Sequence, residues 1–253
     1  MGLLSVGTPL DWNETKKHSN KIRKDGIDQF VRIYKKFKNA KHFPFKWGDE
    51  IEYSLIRFDH ENKKVQLLLK AEELLEKLKC SNETNNLNVT FHPEYTSYMI
   101  ESTPKEPFSH DLNVFKNLEE NMELRRKTIE DHLEKNEHCI LITSFPLLGC
   151  NKFTYPSYSP TPDSGITRSL FFPDQAIFDG HPRFRTLSNN IRERRNKNVK
   201  IYVPIFKDKN TTSPFIEELS QFEDFKSDNL TREDHVYLGK TFFIFLRTSF
   251  FWT

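Results

Sequence analysis

Two glutamates set two residues apart are the most constraining feature of this 253-residue sequence. Glu50 and Glu52 lie in segment 45–56, where the residue pattern predicts a β-strand. Side chains at i and i+2 of a strand point to the same face, so we expect the two carboxylates side by side. Such a pair is repulsive unless one group is protonated or a cation lies between them. Mg²⁺ or Mn²⁺, which prefer oxygen ligands, would satisfy it. A strand with one solvated face is the alternative.

A second acidic pair, Glu94 and Glu101, lies in segment 92–104, which is rich in aromatic residues and ends at a proline. This segment is predicted to be extended. Four glutamates on two predicted strands could converge on one cluster of metal sites. Glu94 could equally cap a turn and Glu101 could be an exposed strand residue, so neither acidic pair by itself identifies a chemistry.

Composition and charge restrict the class of protein. Charged residues make up 29% and aromatic residues 13% of the sequence, which is typical of a globular protein. The formal net charge of +2 gives no field that favours nucleic acid or an anionic membrane as a partner. Residues 1–7 lack the basic and apolar segments of a signal peptide, and only three scattered cysteines occur. We therefore expect a cytoplasmic protein.

The periodicity of apolar residues predicts helices and strands in uneven order, which indicates an α+β protein. The first helix has Gly26 as a candidate break, and the helix from residue 112 is expected to turn Leu112, Phe115, Leu118, Met122, Ile129 and Leu133 inward. The predicted helices span 11–38, 71–79, 112–137 and 187–195, and the predicted strands span 45–56, 65–69, 92–104, 139–145 and 199–206.

Several blocks of sequence resemble the eukaryotic glutamate–cysteine ligase catalytic subunits, and together they are more specific than any single motif. The resemblance runs in order from Met1 to about Leu238. Its blocks are 1–5, 46–53, 93–95, 97–101, 143–146, 169–174, 181–184 and 203–211.

The resemblance implies a fold related to glutamine synthetase, with a curved, mainly antiparallel sheet and flanking helices. It implies ATP-dependent ligation of the γ-carboxylate of L-glutamate to the amine of L-cysteine through a γ-glutamyl phosphate, the first step of glutathione biosynthesis. Mg²⁺ or Mn²⁺ would be the cofactor, ATP a substrate and a regulatory (modifier) subunit a partner. Glu50, Glu52, Glu94 and Glu101 match the metal-binding positions of the family. No nucleotide contact or further catalytic residue is assigned.

The resemblance stops before the end of the sequence. Residues 1–238 are interpreted as the N-terminal part of a ligase catalytic domain, and residues 239–253 as a Phe-rich tail foreign to the family. We expect a retained intron or a gene-model error there, with an interfacial anchor as the alternative. A chain cut at this point is expected to be inactive alone. The rival hypothesis is a non-catalytic isoform that binds the ligase subunits as an interaction or dominant-negative protein.

Other chemistry-bearing residues have ordinary explanations. Asp49, on the opposite strand face from Glu50, is expected to support a turn or a ligand rather than to bind metal. Trp47 is expected in the core, and His92 and His181, each beside a proline, in structural roles. The basic run 192–197 could hold a phosphate or an acidic substrate, or simply be the solvated end of a helix.

Overall fold

A computed structural model describes residues 6–41, 44–80, 87–142, 145, 147–148, 150, 152–169, 171–196, 202–204, 209–210, 212–216, 233 and 235–237. The helices of these residues are α1 Trp12–Phe37, α2 Ala71–Cys80, α3 Val114–Glu130 and α4 Pro182–Arg195, with a 3₁₀ turn at Asp174–Ala176. The strands are β1 Lys46–Trp47, β2 Ile51–Asp59, β3 Lys64–Leu68, β4 Val89–Pro93, β5 Met99–Pro104, β6 Phe108–Ser109, β7 Glu137–Ile140, β8 Thr154–Tyr155, β9 Tyr202–Pro204 and β10 His235–Tyr237.

The central strand of the main sheet is β2, which pairs antiparallel with β3, β5 and β7. Strand β4 pairs antiparallel with β5, and β8 runs parallel beside β3. Two further antiparallel pairs, β1 with β6 and β9 with β10, lie outside this sheet. Sheet and helices together confirm the predicted α+β class.

Strands β2 and β3 form an antiparallel hairpin, and local chemistry explains its turn. The carboxylate of Asp59 accepts hydrogen bonds from the backbone N–H of Asn62 at 3.1 Å and from its side-chain amide at 2.9 Å. Lys63 has a φ of 51°, which reverses the chain before Lys64 pairs with Asp59. An Asp side chain that bonds the backbone ahead of it favours such a turn.

The core lies where α2 meets β4 and β5. Ala71, Leu74, Leu75 and Leu78 form the buried face of α2, at the spacing expected of an amphipathic helix. Aromatic side chains extend this core toward α4, and Phe184 at the start of that helix is fully buried with its ring edge-on to others. This packing fixes the end of β4 and the start of β5, which carry the site described below.

The third helix differs from its prediction. It ends at Glu130 rather than at residue 137, because the chain must turn there to begin β7 at Glu137. Ile129 is buried as expected, but Leu112 is 78% and Phe115 59% exposed, so the inward assignment of these two is wrong. The aromatic ring of Phe115 instead stacks on that of Trp47, with 5.9 Å between ring centroids.

Other boundaries also move. Helix α1 is continuous through Gly26, and α4 begins at Pro182, five residues before its predicted start. Within the predicted strand 199–206, residues Tyr202–Pro204 form a strand. The predicted tail 239–253 lies outside the described residues. No helix in the described part of the chain is both long and apolar enough to cross a membrane.

Candidate metal centre

The register of the sheet brings polar side chains into one row across three strands. Glu52 on β2 lies directly opposite Glu101 on β5, and Glu101 lies opposite His92 on β4. Directly opposed residues of an antiparallel pair share a face of the sheet. Glu94 follows immediately after the end of β4. Two glutamates far apart in sequence are therefore neighbours because of strand pairing.

Three carboxylates converge at this row. Glu52, Glu94 and Glu101 each offer an oxygen atom, and these atoms all lie within 4.8 Å of one another. Glu94 is 4% and Glu101 3% exposed, whereas Glu52 is half-buried. Glu101 is therefore not an exposed strand residue, which excludes the alternative considered for it from the sequence.

The electrostatics of the cluster are unfavourable without a counter-charge. Burial, followed by the negative charges of Glu52 and Glu101, raises the pKa of Glu94 to about 8. One hydrogen bond opposes this shift, because the backbone N–H of Tyr95 donates to Glu94 Oε2 at 3.2 Å. Clustered carboxylate oxygens are the donor set that hard divalent cations take. These residues therefore fit Mg²⁺ or Mn²⁺.

Glu50, the fourth predicted ligand, lies outside this group of three. It is exposed, and it precedes the first paired residue of β2, Ile51. Since the strand ladder begins only at Ile51, strand geometry does not hold Glu50 beside Glu52. Glu50 instead lines a surface pocket, together with Gly48, Asp49, Thr103, Pro104 and Pro107. The assignment of all four glutamates as metal ligands stays a prediction.

A buried arginine that sequence reasoning missed supports this end of the sheet. The guanidinium of Arg125 on α3 is fully buried, and its Nη2 donates to Asp49 Oδ2 at 2.7 Å. Its Nη1 donates to the backbone oxygen of Ser102, the residue after Glu101, at 3.2 Å. Asp49 thus holds a buried arginine, and its predicted support of a metal ligand stays a prediction. The sequence did contain a signal for this arginine. Arg125 lies three residues after Met122 and four before Ile129, a spacing that places it on the inward face of the helix.

The two histidines make local structural contacts. His92 Nε2 and Thr103 Oγ1 share a hydrogen bond of 3.2 Å, which ties β4 to β5. His181 caps α4, because its Nδ1 accepts from the backbone N–H of Arg183 at 3.2 Å. Both contacts agree with the structural roles expected of these histidines.

Trp47 lies outside the hydrophobic core, so its core assignment is wrong, but both Trp47 and the basic run make structural contacts. Trp47 is half-buried, and its Nε1 donates to the backbone oxygen of Ser109 at 3.1 Å. Arg192 Nη1 donates to the backbone oxygen of Ile166 at 2.6 Å. Burial and the nearby charge of Arg168 lower the pKa of the Arg192 guanidinium. The end of the basic run, residue 197, lies outside the described residues.

Comparison with known proteins identifies the family. The model of the glutamate-cysteine ligase family matches residues 1–244. The glutamate–cysteine ligase catalytic subunit of Homo sapiens is 50% identical over 241 residues, which cover 94% of this chain and 37% of the human protein. The Candida albicans glutamate–cysteine ligase is 39% identical over 216 residues, covering 83% of this chain and 31% of that protein. The chain thus spans about a third of the length of these relatives. It belongs to the glutamate–cysteine ligase family.

Proposed function

We propose that this chain supplies the metal-binding carboxylates of an ATP-dependent glutamate–cysteine ligase. The observation that carries the proposal is the convergence of Glu52, Glu94 and Glu101 on one point of the sheet. The relatives' name supports the reaction, the joining of L-glutamate to L-cysteine. We extend the proposal to the cofactor, Mg²⁺ or Mn²⁺, to ATP as the second substrate, and to a modifier subunit as a partner.

The reaction explains why carboxylates would crowd such a site. The γ-carboxylate of glutamate attacks the γ-phosphorus of ATP to give an acyl phosphate and ADP, and the amine of cysteine then displaces phosphate. Divalent cations bound by the cluster would neutralise the phosphate charge that repels an incoming carboxylate. The chain's own contribution is positioning. Strand pairing fixes Glu52 against Glu101, and burial restricts Glu94, so little reorganisation accompanies binding.

The proposed fold is that of the glutamine synthetase-like ligases, in which a curved sheet surrounds the reacting groups. It is supported by the mainly antiparallel main sheet and by the location of the cluster on its strands. The proposed compartment is the cytoplasm. Supporting this, Cys80, Cys139 and Cys150 are free thiols, as is usual under reducing conditions.

The first test is metal binding by the 253-residue chain. Electron paramagnetic resonance measures free Mn²⁺, and we expect it to show that the chain binds the ion. Glu101→Gln should lower the Mn²⁺ affinity at least tenfold, because a neutral isostere replaces one anionic ligand. Glu76→Gln, which changes an exposed glutamate on α2 in the same way, should leave the affinity unchanged. Equal affinity of both variants, or no binding by the unchanged protein, would overturn the proposed metal centre.

The second test is formation of γ-glutamylcysteine from ATP, Mg²⁺, glutamate and cysteine. Turnover that disappears in Glu52→Ala and Glu101→Ala would establish that this chain carries a complete site. No turnover by a folded, Mn²⁺-binding chain would favour the second candidate function, a non-catalytic protein that binds ligase subunits. An exposed apolar face on α1 supports that candidate.

A further inference from the structure

The two buried glutamates of the cluster, Glu94 and Glu101, lie on either side of the residues that connect β4 to β5. We call residues 95–98 the connecting loop. Glu94 follows the end of β4, so strand pairing does not fix its side chain. Its carboxylate accepts a hydrogen bond from the first backbone N–H of the connecting loop, that of Tyr95, at 3.2 Å. The direction of the Glu94 side chain therefore depends on the path of this loop.

Backbone hydrogen bonds hold the connecting loop on two sides. On one side, the N–H of Ser97 donates to the oxygen of Ala176, and the N–H of Phe178 donates to the oxygen of Tyr95, each at 2.9 Å. On the other side, the N–H of Ala71, the first residue of α2, donates to the oxygen of Ser97 at 2.9 Å. The loop thus lies between the start of α2 and the segment that follows the 3₁₀ turn.

One side chain, that of Glu72, connects the three parts of this arrangement. Glu72 is half-buried in the first turn of α2. Its Oε1 accepts a hydrogen bond from Ser97 Oγ in the connecting loop at 2.7 Å, and a second from the backbone N–H of Asp179 at 2.8 Å. Because both donors meet the same carboxylate oxygen, Glu72 fixes the connecting loop relative to α2 and to the segment behind it.

The hydroxyl of Ser97 donates one hydrogen bond, and two acceptors lie within its reach. Besides Glu72 Oε1 at 2.7 Å, the backbone oxygen of Ile177 lies at 3.0 Å. The carboxylate is nearer and charged, so it is the stronger acceptor. Without the carboxylate the hydroxyl would turn to Ile177, and the connecting loop would lose its side-chain contact with α2.

The position of Glu72 also has an ordinary explanation, because a negative charge is favourable in the first turn of a helix. Glu73 allows the two explanations to be separated. It lies in the same turn, but it is exposed and pairs with Lys77 Nζ at 2.6 Å. A helix-dipole effect should be similar for both glutamates, whereas the bond to Ser97 belongs to Glu72.

We propose that Glu72 is a positioning residue of the metal centre. By holding Ser97, it sets the connecting loop so that the carboxylate of Glu94 lies beside those of Glu52 and Glu101. Replacing a residue that orients a metal ligand without touching the metal typically lowers metal affinity by about 10- to 100-fold. The inference rests on the proposed metal centre and adds to it a residue from α2, a helix that contributes none of the three clustered carboxylates.

Mn²⁺ binding by the 253-residue chain tests the proposal, with free Mn²⁺ measured by electron paramagnetic resonance. Glu72→Ala should lower the affinity about tenfold, because the connecting loop loses its side-chain anchor. Glu72→Gln should restore most of the affinity, because the amide oxygen of glutamine can accept the same two hydrogen bonds. Glu73→Ala, the matched truncation in the same turn, should bind Mn²⁺ as the unchanged chain does. All affinities are measured at a temperature where circular dichroism shows each variant folded, so that lost stability alone does not change them.

Ser97→Ala tests the same contact from the loop side. It removes the donor to Glu72, so the affinity should fall by a similar factor. The double variant with Glu72→Ala should bind little more weakly than either single variant, because both substitutions remove one interaction. If Glu72→Ala does not fold, Ser97→Ala and Glu72→Gln decide the question, and normal binding by Ser97→Ala overturns the proposal.

Failure of this inference can be told apart from failure of the metal centre. If the unchanged chain binds Mn²⁺ and Glu101→Gln weakens binding, but Glu72→Ala binds normally, the positioning role is wrong and the metal centre stands. The positioning role is equally wrong if Glu72→Gln binds as weakly as Glu72→Ala, since charge rather than hydrogen bonding would then be responsible. If the unchanged chain binds no Mn²⁺, the metal centre and the inference that rests on it both fail.

Discussion

Arg125 Nη2 donates to Asp49 Oδ2 at 2.7 Å, and this buried ion pair joins α3 to the residue just before Glu50. The same guanidinium bonds the backbone beside Glu101. One side chain thus holds together the two segments that carry the predicted metal ligands Glu50 and Glu101. Breaking a buried pair is costly because the remaining charge keeps no partner.

We predict that Arg125→Ala lowers the free energy of unfolding by about 3–5 kcal/mol, the usual cost of leaving a buried charge unpaired. Asp49→Asn should cost less, because a neutral amide can still accept a hydrogen bond from the guanidinium. Urea denaturation of both single variants and the double variant measures the coupling. Strictly additive effects of the two substitutions would contradict a direct interaction.

The stability of the metal-free protein should depend on pH through Glu94. Its pKa in the folded chain, about 8, lies above the usual value of 4.5. The folded state therefore keeps a proton that the unfolded state releases, so this contribution is full below about pH 4.5 and is lost as pH rises through about 8. When unfolding is measured in EDTA at several pH values, the free energy of unfolding should fall as the pH rises. This fall should be smaller in Glu94→Gln. Glu76→Gln is the matched control, and an unchanged decline in Glu94→Gln would show that another group is responsible.

Metal binding should release protons at neutral pH. At pH 7 the folded chain holds Glu94 mainly protonated, because its pKa is about 8. A divalent cation that takes Glu94 as a ligand must displace this proton. Calorimetric titration with Mn²⁺ in buffers of different ionisation enthalpy should show release of about one proton per ion. An identical heat in all buffers would mean that Glu94 does not bind the cation as a carboxylate.

The two ends of α3 should respond differently to truncation, because Phe115 lies at its start and Ile129 at its end. Ile129 is fully buried, so Ile129→Ala should lower the free energy of unfolding by about 2–5 kcal/mol. Phe115 is 59% exposed and packs mainly on Trp47, so Phe115→Ala should cost about 1 kcal/mol or less. Thermal and urea unfolding measure both. Equal costs would contradict the difference in burial between the start and the end of this helix.

Local pattern was sufficient for several elements. The apolar spacing of α1, the β2–β3 hairpin with its Asp59 turn and the amphipathic α2 were predictable, because each depends on residues close together in sequence. The end of α3 and the start of α4 were not predictable from local pattern. Glu130 ends α3 because β7 pairs with β2, and His181 caps α4 five residues earlier than the apolar pattern predicted. Both boundaries depend on contacts outside the pattern itself.

The family, the two acidic pairs and the strand that carries Glu52 were readable from the sequence, whereas the segment 92–104 that was predicted as one strand divides into β4 and β5, which pair with each other. Which carboxylates meet depends on the pairing of strands in the folded chain. The β2–β5 register places Glu52 against Glu101, Glu94 approaches from the end of β4, and Glu50 stays outside the group. Register belongs to the pairing of distant segments, and shifting it by one residue would turn each side chain to the other face. No spacing along a single strand contains that information.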